Sequence, residues 1–347
     1  MDTLSLIKKL ISVSSVSGFE DEFSEVVASL IDGFVDELEI DRVGNVVARV
    51  EGEGKERVLV DAHMDEVGLI VKAIDEKGFL RFTTLGGIDN RILLAQRVIV
   101  HTSKGKVKGV IAAMPPHFTS EKEREKMPSV DDLFIDIGAS SKEEAYERGV
   151  SVSDPVSFEG GVEELIGGRI CGCGFDDKLG CAVAIKALYE LRNLKETPPS
   201  ADIYFSFSVE EERGLRGVKP VAFRVNPTIA IPLDTTGAGD YPGVKPFISS
   251  VVLGKGPVIR AADRMFIAER SVKEFLIKVA EENGIPYQIG VVMGTTNAAA
   301  IQLAREGVAT CPLCIPVRYA HSPVEVADLS DVENTIRLLI KALTTIS

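Results

Sequence analysis

The sequence predicts an α/β fold: a mixed sheet with helices on both faces, interrupted by a β-rich, barrel-like insert. Three observations carry this expectation. Apolar residues alternate between helical and strand periods up to about residue 67, and again from about 168. Between 68 and 165 the pattern changes to short strand-like runs punctuated by glycine, with little helical signal before about 141. The chain has 347 residues, too many for one ordinary core and enough for two domains. The expected division is one discontinuous domain, 1–67 with 166–347, and an insert over 68–165.

Taken in order, Leu4, Ile7, Leu10 and Ile11 stand at helical spacing, as do Phe23, Val26, Val27, Leu30 and Ile31 after the loop 14–18. Strands are expected near 36–41 and 45–50, joined at Gly44-Asn45. The run Arg57-Val-Leu-Val-Asp-Ala62 reads as a buried strand that delivers His63-Met-Asp65-Glu66 at its C-terminal end, where open α/β sheets bind ligands. Inside the insert, strand-like runs cover 68–74, 79–83, 97–101, 107–112 and 133–136. Residues 117–131 are polar and unpatterned and read as a mobile loop. Ser140 or Ser141 caps a short helix containing Glu143 and Glu144. Alternation then resumes: helix 177–193, strand 201–208, strand 228–233 ending at Asp234, helix 271–283, strand 287–292, helix 295–305, strand 308–315 and helix 331–345.

Bulk properties narrow the function. A net charge of −13 with no Lys/Arg cluster argues against nucleic acid and anionic membrane as partners. No apolar run approaches the roughly 20 residues needed to span a bilayer. The N-terminus shows no signal-peptide pattern, and five cysteines without framework spacing read as reduced thiols of a cytoplasmic protein.

The chemistry is concentrated at Ser208-Val-Glu-Glu-Glu-Arg-Gly-Leu-Arg-Gly217, where a hydrophobic strand ends in three carboxylates. Three acids at the tip of a buried strand repel one another and resist desolvation, so they call for a countercharge. A divalent cation is one solution; a solvated strand end is the other. His63, Asp176, Glu212, Asp234 and His321 all fall at expected strand ends or loops of the same α/β domain. Two histidines and three carboxylates suit a pair of borderline divalent ions such as zinc, cobalt or manganese. Each position taken singly is equally what an ordinary capped strand provides, and the ligand spacing, from 63 to 321, decides nothing. Asp65, two residues past His63, is placed to accept the second imidazole N–H or to cap the strand.

Five segments carry a resemblance. His63-Met-Asp-Glu-Val-Gly68, Phe175-Asp-Asp-Lys-Leu-Gly180, Glu211-Glu-Arg-Gly-Leu-Arg-Gly217, Asp234-Thr-Thr-Gly-Ala-Gly-Asp240 and Arg318-Tyr-Ala-His-Ser-Pro-Val-Glu325 resemble the motifs of the TET-type dinuclear-metal aminopeptidases, in order along the chain. Segments 86–98 and 134–144 match that family's insert. The resemblance implies a metallopeptidase catalytic domain binding two divalent metal ions, zinc or cobalt before manganese. It implies that Asp176 bridges them, that His63 and Asp234 complete one site, and that Glu212 and His321 complete the other. Glu211 then serves as general base, with Glu210 the weaker candidate, and Asp65 orients His63. The resemblance further implies a cis peptide at Asp176–Asp177, peptide substrates attacked from a free N-terminus, and a homo-oligomer built from dimers into a tetrahedral dodecamer.

The chain departs from the family pattern in two places. Asn297 stands where relatives usually carry an acid, which is expected to remove a charge near the substrate pocket. Cys171 and Cys173 precede Asp176 and are either small packing residues or thiols at the metal site, whereas Cys311 and Cys314 read as core. Two alternatives therefore stand beside the aminopeptidase: a catalytically silent subunit of a mixed shell, and a polysaccharide hydrolase. The second is disfavoured because glycosidases need two free carboxylates and the chain has no Trp to stack on sugar.

Overall fold

The computed structural model describes residues 1–54, 56–118, 127–193, 199–245 and 247–346. Of the apolar stripes expected of them, helices α1 (Thr3–Ile11) and α2 (Asp21–Ile31) bury Ile7, Leu10 and Ile11 in one and Phe23, Val27 and Ile31 in the other; Leu6 is buried as well, and Leu4, Val26 and Leu30 are half-buried. Asp2 caps α1 by accepting the Ser5 N–H at 2.9 Å.

A twelve-stranded mixed sheet forms the larger layer. Its path begins with β1 (Glu37–Ile40) and β2 (Val46–Val50), then passes through four parallel strands. These are β12 (Asp202–Ser208), β3 (Arg57–His63), β13 (Ile229–Gly237) and β17 (Leu313–Arg318). It continues antiparallel through β18 (Glu325–Asp328), β11 (Arg169–Gly172) and β10 (Glu163–Glu164). β14 (Val258–Ala262) and β15 (Gln288–Val291) branch from β17, and β16 (Ala309–Thr310) pairs with β13. Because the four central strands run parallel, their C-terminal ends face one crevice.

Helix α4 (Phe175–Asn193) is apolar nearly all round, with Leu179 to Ile185, Ala187 and Leu188 buried. Such a helix belongs in a core rather than at a surface. It packs between the sheet, α1 and the C-terminal α8 (Leu329–Thr345). The Asp176–Asp177 peptide is cis, as the resemblance implies, and both residues depart from helical φ/ψ at the start of α4.

The β-rich segment closes into a barrel of six strands, β4 (Gly68–Ile74), β5 (Leu80–Leu85), β8 (Phe134–Asp136), β7 (Gly105–Ala112), β6 (Arg97–Thr102) and β9 (Pro155–Phe158). Leu69, Leu80, Val98, Ile111 and Ile135 fill it, forming an apolar cluster separate from that of the large sheet. Ser141 is the residue that caps α3 (Lys142–Glu147), accepting the Glu144 N–H at 3.2 Å. Of the expected loop 117–131, residues 119–126 lie outside the described residues.

Three expectations need correction. β13 continues to Gly237, so Asp234 sits inside a strand rather than at its tip. The helix expected over 295–305 is confined to α7 (Ala298–Ile301). The strand expected over 308–315 is divided into β16 and β17, with Cys311-Pro312 between them. The two remaining α/β-domain helices are α5 (Val218–Val225) and α6 (Arg270–Glu282).

Candidate metal centre

His63 closes β3, 2 % exposed. Its Nδ1 lies 3.0 Å from the Asp65 carbonyl and 3.5 Å from the Asp65 carboxylate. Both are acceptors, so Nδ1 keeps its proton, and Nε2 is the nitrogen whose lone pair would be offered once a cation replaces the proton it carries. That Nε2 faces the Asp176 carboxylate at 3.2 Å. The His321 ring is set the same way. Its Nδ1 donates to the Gly87 carbonyl at 2.7 Å, which leaves Nε2 towards Glu212 at 3.0 Å and Asp176 at 3.4 Å. Gly87 belongs to the loop after β5, so the β-rich segment orients one site histidine.

Two trios emerge. His63, Asp176 and Asp234 each offer a ligand atom, all within 4.8 Å of one another, and Asp176, Glu212 and His321 do the same. Asp176 is common to both. All five expected ligand positions are therefore brought together from β3, the start of α4, the loop after β12, β13 and the loop after β17.

The glutamates are sorted by backbone geometry. β12 ends at Ser208, and Glu210 takes a left-handed φ of +52°. The strand alternation is thereby broken, so Glu211 and Glu212 both line the same cavity. The Asp65 carboxylate fixes this turn by accepting the N–H groups of Glu211 at 2.8 Å and Glu212 at 3.1 Å. Asp65 thus spends its carboxylate chiefly on the glutamate loop, while its carbonyl holds the imidazole. Glu210 instead pairs with Arg216 at 2.8 Å.

Two site-supporting acids were not singled out from sequence. Glu325, 1 % exposed on β18, accepts the His321 N–H at 2.8 Å and the N–H groups of Phe175 at 2.5 Å and Asp176 at 3.3 Å. It ties the two ligand-bearing loops together. Its signal was an acid that opens a fully buried four-residue strand, Glu325-Val-Ala-Asp328. Replacing Glu325 by Gln is expected to weaken cation affinity or turnover about 10- to 100-fold, the usual cost of losing an orienting partner, as metal titration and kinetics would read. Asp61, buried within β3, accepts from Ser206 Oγ at 2.6 Å, Ser208 Oγ at 3.2 Å and Asn297 Nδ2 at 2.8 Å. Asn297 is 3 % exposed and does not line the cavity. The expected loss of charge at the substrate pocket is therefore corrected: Asn297 acts one layer below, on a carboxylate under the site. Cys171 and Cys173 belong to neither ligand trio and pack against apolar clusters, and Cys311 and Cys314 are buried.

The cavity encloses about 290 Å³ and is lined by His63, Asp176, Glu211, Glu212, Asp234 and His321, with Thr235, Arg260, Met293 and Gly294 at its wall. A groove of about 340 Å³ elsewhere is lined by Arg49, Arg57 and Arg224. Each of these arginines already has a partner, in Glu37 and Asp202, the Val225 carbonyl, and Glu39 respectively.

Electrostatics around the trios favour a cation. Burial, aided by Asp176, pushes Asp234 up to about 7, and burial raises Glu211 and Glu212. Burial alone would lower His321, but the Asp176 and Glu212 carboxylates overcome it and hold the imidazolium up to about 12. Asp176 is driven down despite its burial, by His321 and His63. Protons are thus standing in for positive charge. Elsewhere burial raises Glu20 to about 7 and Asp331 to about 6. Acids raised in the fold bind more protons than the unfolded chain, so their contribution is largest at low pH and is lost as pH rises through the folded value. A raised histidine has the same sign. Chelated protein is therefore expected to lose stability from pH 6 to pH 8, read by calorimetry as a Tm lowered by about 1–2 °C for each kcal/mol lost in a chain of 347 residues. Cation-loaded protein should gain relative to it over the same interval, because ligands must be deprotonated. Chelated protein that is more stable at pH 8 would contradict this.

A doubly covered α/β sheet with an inserted barrel, and a carboxylate shared between two His/acid trios in the crevice of the parallel strands, define a metallopeptidase. The chain belongs to the M42 glutamyl aminopeptidase family, whose model matches residues 44–338. It is 37 % identical over 337 residues to a lysyl aminopeptidase of Pyrococcus furiosus, covering 96 % of this chain and 94 % of that one. A TET aminopeptidase from a marine-sediment Thaumarchaeota archaeon superposes with a TM-score of 0.97 at 38 % identity, covering 99 % of this chain and 96 % of that one. A Pyrococcus horikoshii TET1 peptidase, which can assemble into a tetrahedron or a large octahedral shell, gives 0.91 at 36 % identity over 99 % and 100 %. The chain is accordingly a metal-dependent aminopeptidase, and its His and carboxylate groups suit a divalent metal.

Proposed function

We propose that this chain removes N-terminal residues from short peptides using two divalent cations, zinc or cobalt before manganese. His63, Asp176 and Asp234 would hold one cation, and Asp176, Glu212 and His321 the other. The observation that carries this is the membership of Asp176 in both trios. The donor set fits: borderline divalent ions take imidazole nitrogen and carboxylate oxygen. Four carboxylates face one cavity, Asp176, Glu211, Glu212 and Asp234, a charge that two divalent ions would balance.

Bound divalent ions supply Lewis acidity, lowering the pKa of water and polarising a carbonyl. The remaining work falls to the chain. Glu211 lines the cavity but belongs to neither trio, and burial lifts its carboxyl above the ordinary range. It is therefore suited to take a proton from the attacking water and return it to the departing amine. Asp65 holds the Glu211 and Glu212 amides and the His63 ring in register. The polysaccharide alternative loses ground because the cavity's carboxylates, Glu211 apart, are engaged with histidines or grouped with them.

We further propose residues 68–165 as the insert domain, a cytoplasmic location and a homo-oligomer, a tetrahedral dodecamer built from dimers. Support for assembly comes from the TET relative and from Ile267, Val291 and Met293, which are 77 %, 72 % and 82 % exposed near the edge strand β15. No described helix is long and apolar enough to cross a membrane.

The test is a panel of aminoacyl p-nitroanilides, free and N-acetylated, assayed with cation or chelator. Turnover confined to unblocked substrates and abolished by chelation is expected. Turnover of acetylated substrates, or none at all, would overturn the proposal.

A further inference from the structure

Four consecutive backbone N–H groups run through the glutamate turn, and side chains from elsewhere in the chain accept all four. Val209 donates to Asn45 Oδ1 at 3.0 Å and Glu210 to Glu20 Oε1 at 3.0 Å. Glu211 and Glu212 donate to the Asp65 carboxylate at 2.8 and 3.1 Å. The carbonyls of the turn are served from within it: Gly217 N–H donates to Val209, Arg216 N–H to Glu210, and the N–H groups of Gly214 and Leu215 to Glu211. A turn whose leading donors are all taken by outside side chains has its entry shaped from outside.

The sensitive position is Glu210. Its φ of +52° is a left-handed conformation that a residue with a Cβ rarely adopts and that persists where the surroundings impose it. Its N–H is the one that Glu20 holds. Ser17 N–H donates to the Glu66 carbonyl at 3.1 Å and Glu66 N–H to the Ser15 carbonyl at 2.9 Å, so the loop before α2 lies along the same extension of β3 that carries Asp65. Glu20 follows at the N-cap position of α2, yet its side chain makes no capping bond. It is 5 % exposed, and its Oε1 is shared between the N–H groups of Glu210 and, at 2.8 Å, Gly18. Among the described residues it forms no ion pair, and the charge that bears on it is the like-signed Asp65. Burying an acid without a countercharge is costly, and here a helix cap is forgone as well. The favourable contact left to this side chain is its pair of amide bonds.

We infer that Glu20 is a positioning residue for the reaction, holding Glu210 in the turn that sends Glu211 and Glu212 into one cavity. Glu20 does not line that cavity and acts through the Glu210 backbone. The inference rests on the roles proposed above for Glu211 and Glu212.

Three substitutions separate reach from charge. Glu20→Gln keeps an acceptor oxygen at the same reach and loses the charge. Glu20→Asp keeps the charge and falls one methylene short; Glu20→Ala loses both. Asp is a favoured N-cap residue, so that variant is expected to fold. Hydrogen exchange over residues 207–217 is read by mass spectrometry, beside zinc affinity and kcat at saturating zinc. In the Asp and Ala variants, exchange of this segment should rise about tenfold or more while the rest of the chain stays as it was. Zinc affinity, kcat or both should fall about 10- to 100-fold, the cost of losing an orienting partner. Glu20→Gln should stay within threefold of wild type throughout. Unchanged exchange at the turn in the Asp or Ala variant overturns the inference, as does a rise spread over the whole chain. A Gln variant as impaired as the Ala variant overturns it too, by placing the effect on charge. Faster exchange at the turn with zinc affinity and kcat both intact would make Glu20 a purely structural residue, and is equally against it. Should the wild type turn over no unblocked anilide, the aminopeptidase proposal falls, while exchange and zinc affinity still decide this one.

Discussion

Replacing Glu211 by Gln is expected to lower kcat about 100- to 10,000-fold, the range general-base catalysis contributes, with cation content unchanged. The amide keeps the shape and much of the hydrogen bonding of the carboxyl group but cannot accept the proton. Glu211 lies outside both ligand trios, so its loss should leave the ligands intact. Its backbone N–H is held by Asp65, and Gln preserves that bond. The change should fall mainly on kcat, since the proton is moved in the transition state. Steady-state kinetics with metal analysis on the same preparation would read both quantities. Turnover within threefold of wild type would remove Glu211 as the base, and Glu210, paired with Arg216 at 2.8 Å, offers no ready replacement.

The second large effect is expected at Asp176. Asp176→Asn should weaken cation binding at both sites together, by more than the roughly 10- to 100-fold that second-sphere changes cost, and abolish turnover. His63 and His321 both lean on this one carboxylate, at 3.2 and 3.4 Å. By contrast, Glu212→Gln touches only the trio containing His321, and Asp234→Asn only the trio containing His63. Isothermal titration should therefore show both binding events lost in the Asp176 variant and one chiefly weakened in each of the others. Equal loss across all three variants would mean the cations do not share Asp176.

Much of this was legible before the structure. His63 reads as the end of a buried run, and the Glu triplet as the end of another, because a parallel strand's apolar run stops where the crevice begins. That both Glu211 and Glu212 face the cavity depends on Glu210 leaving the β region, which no periodicity encodes. The break between β16 and β17 falls at Cys311-Pro312, but Pro232 inside β13 and Pro316 inside β17 show that residue type alone did not announce it. Asp61 was visible as an acid inside an apolar run, and Glu325 as an acid at the start of a buried strand. Which groups satisfy them depends on neighbours distant in sequence, such as Asn297, 236 residues from Asp61. Asn297 was placed by family likeness near substrate, yet packing puts it beneath the sheet's end, where its amide serves a buried carboxylate. Glu20 was silent in the sequence because an acid before a helix says nothing beyond a cap until the fold sets it against the Glu210 amide.

The central claim is that Asp176 is shared by two cations while Glu211 coordinates neither. Anomalous diffraction from crystals of protein loaded with zinc or cobalt, recorded on both sides of the absorption edge, tests it most directly. Two peaks flanking Asp176, one against His63 and Asp234 and the other against Glu212 and His321, with the Glu211 carboxylate bonded to neither, is the expected result. A single peak, or a peak coordinated by Glu211, would contradict it.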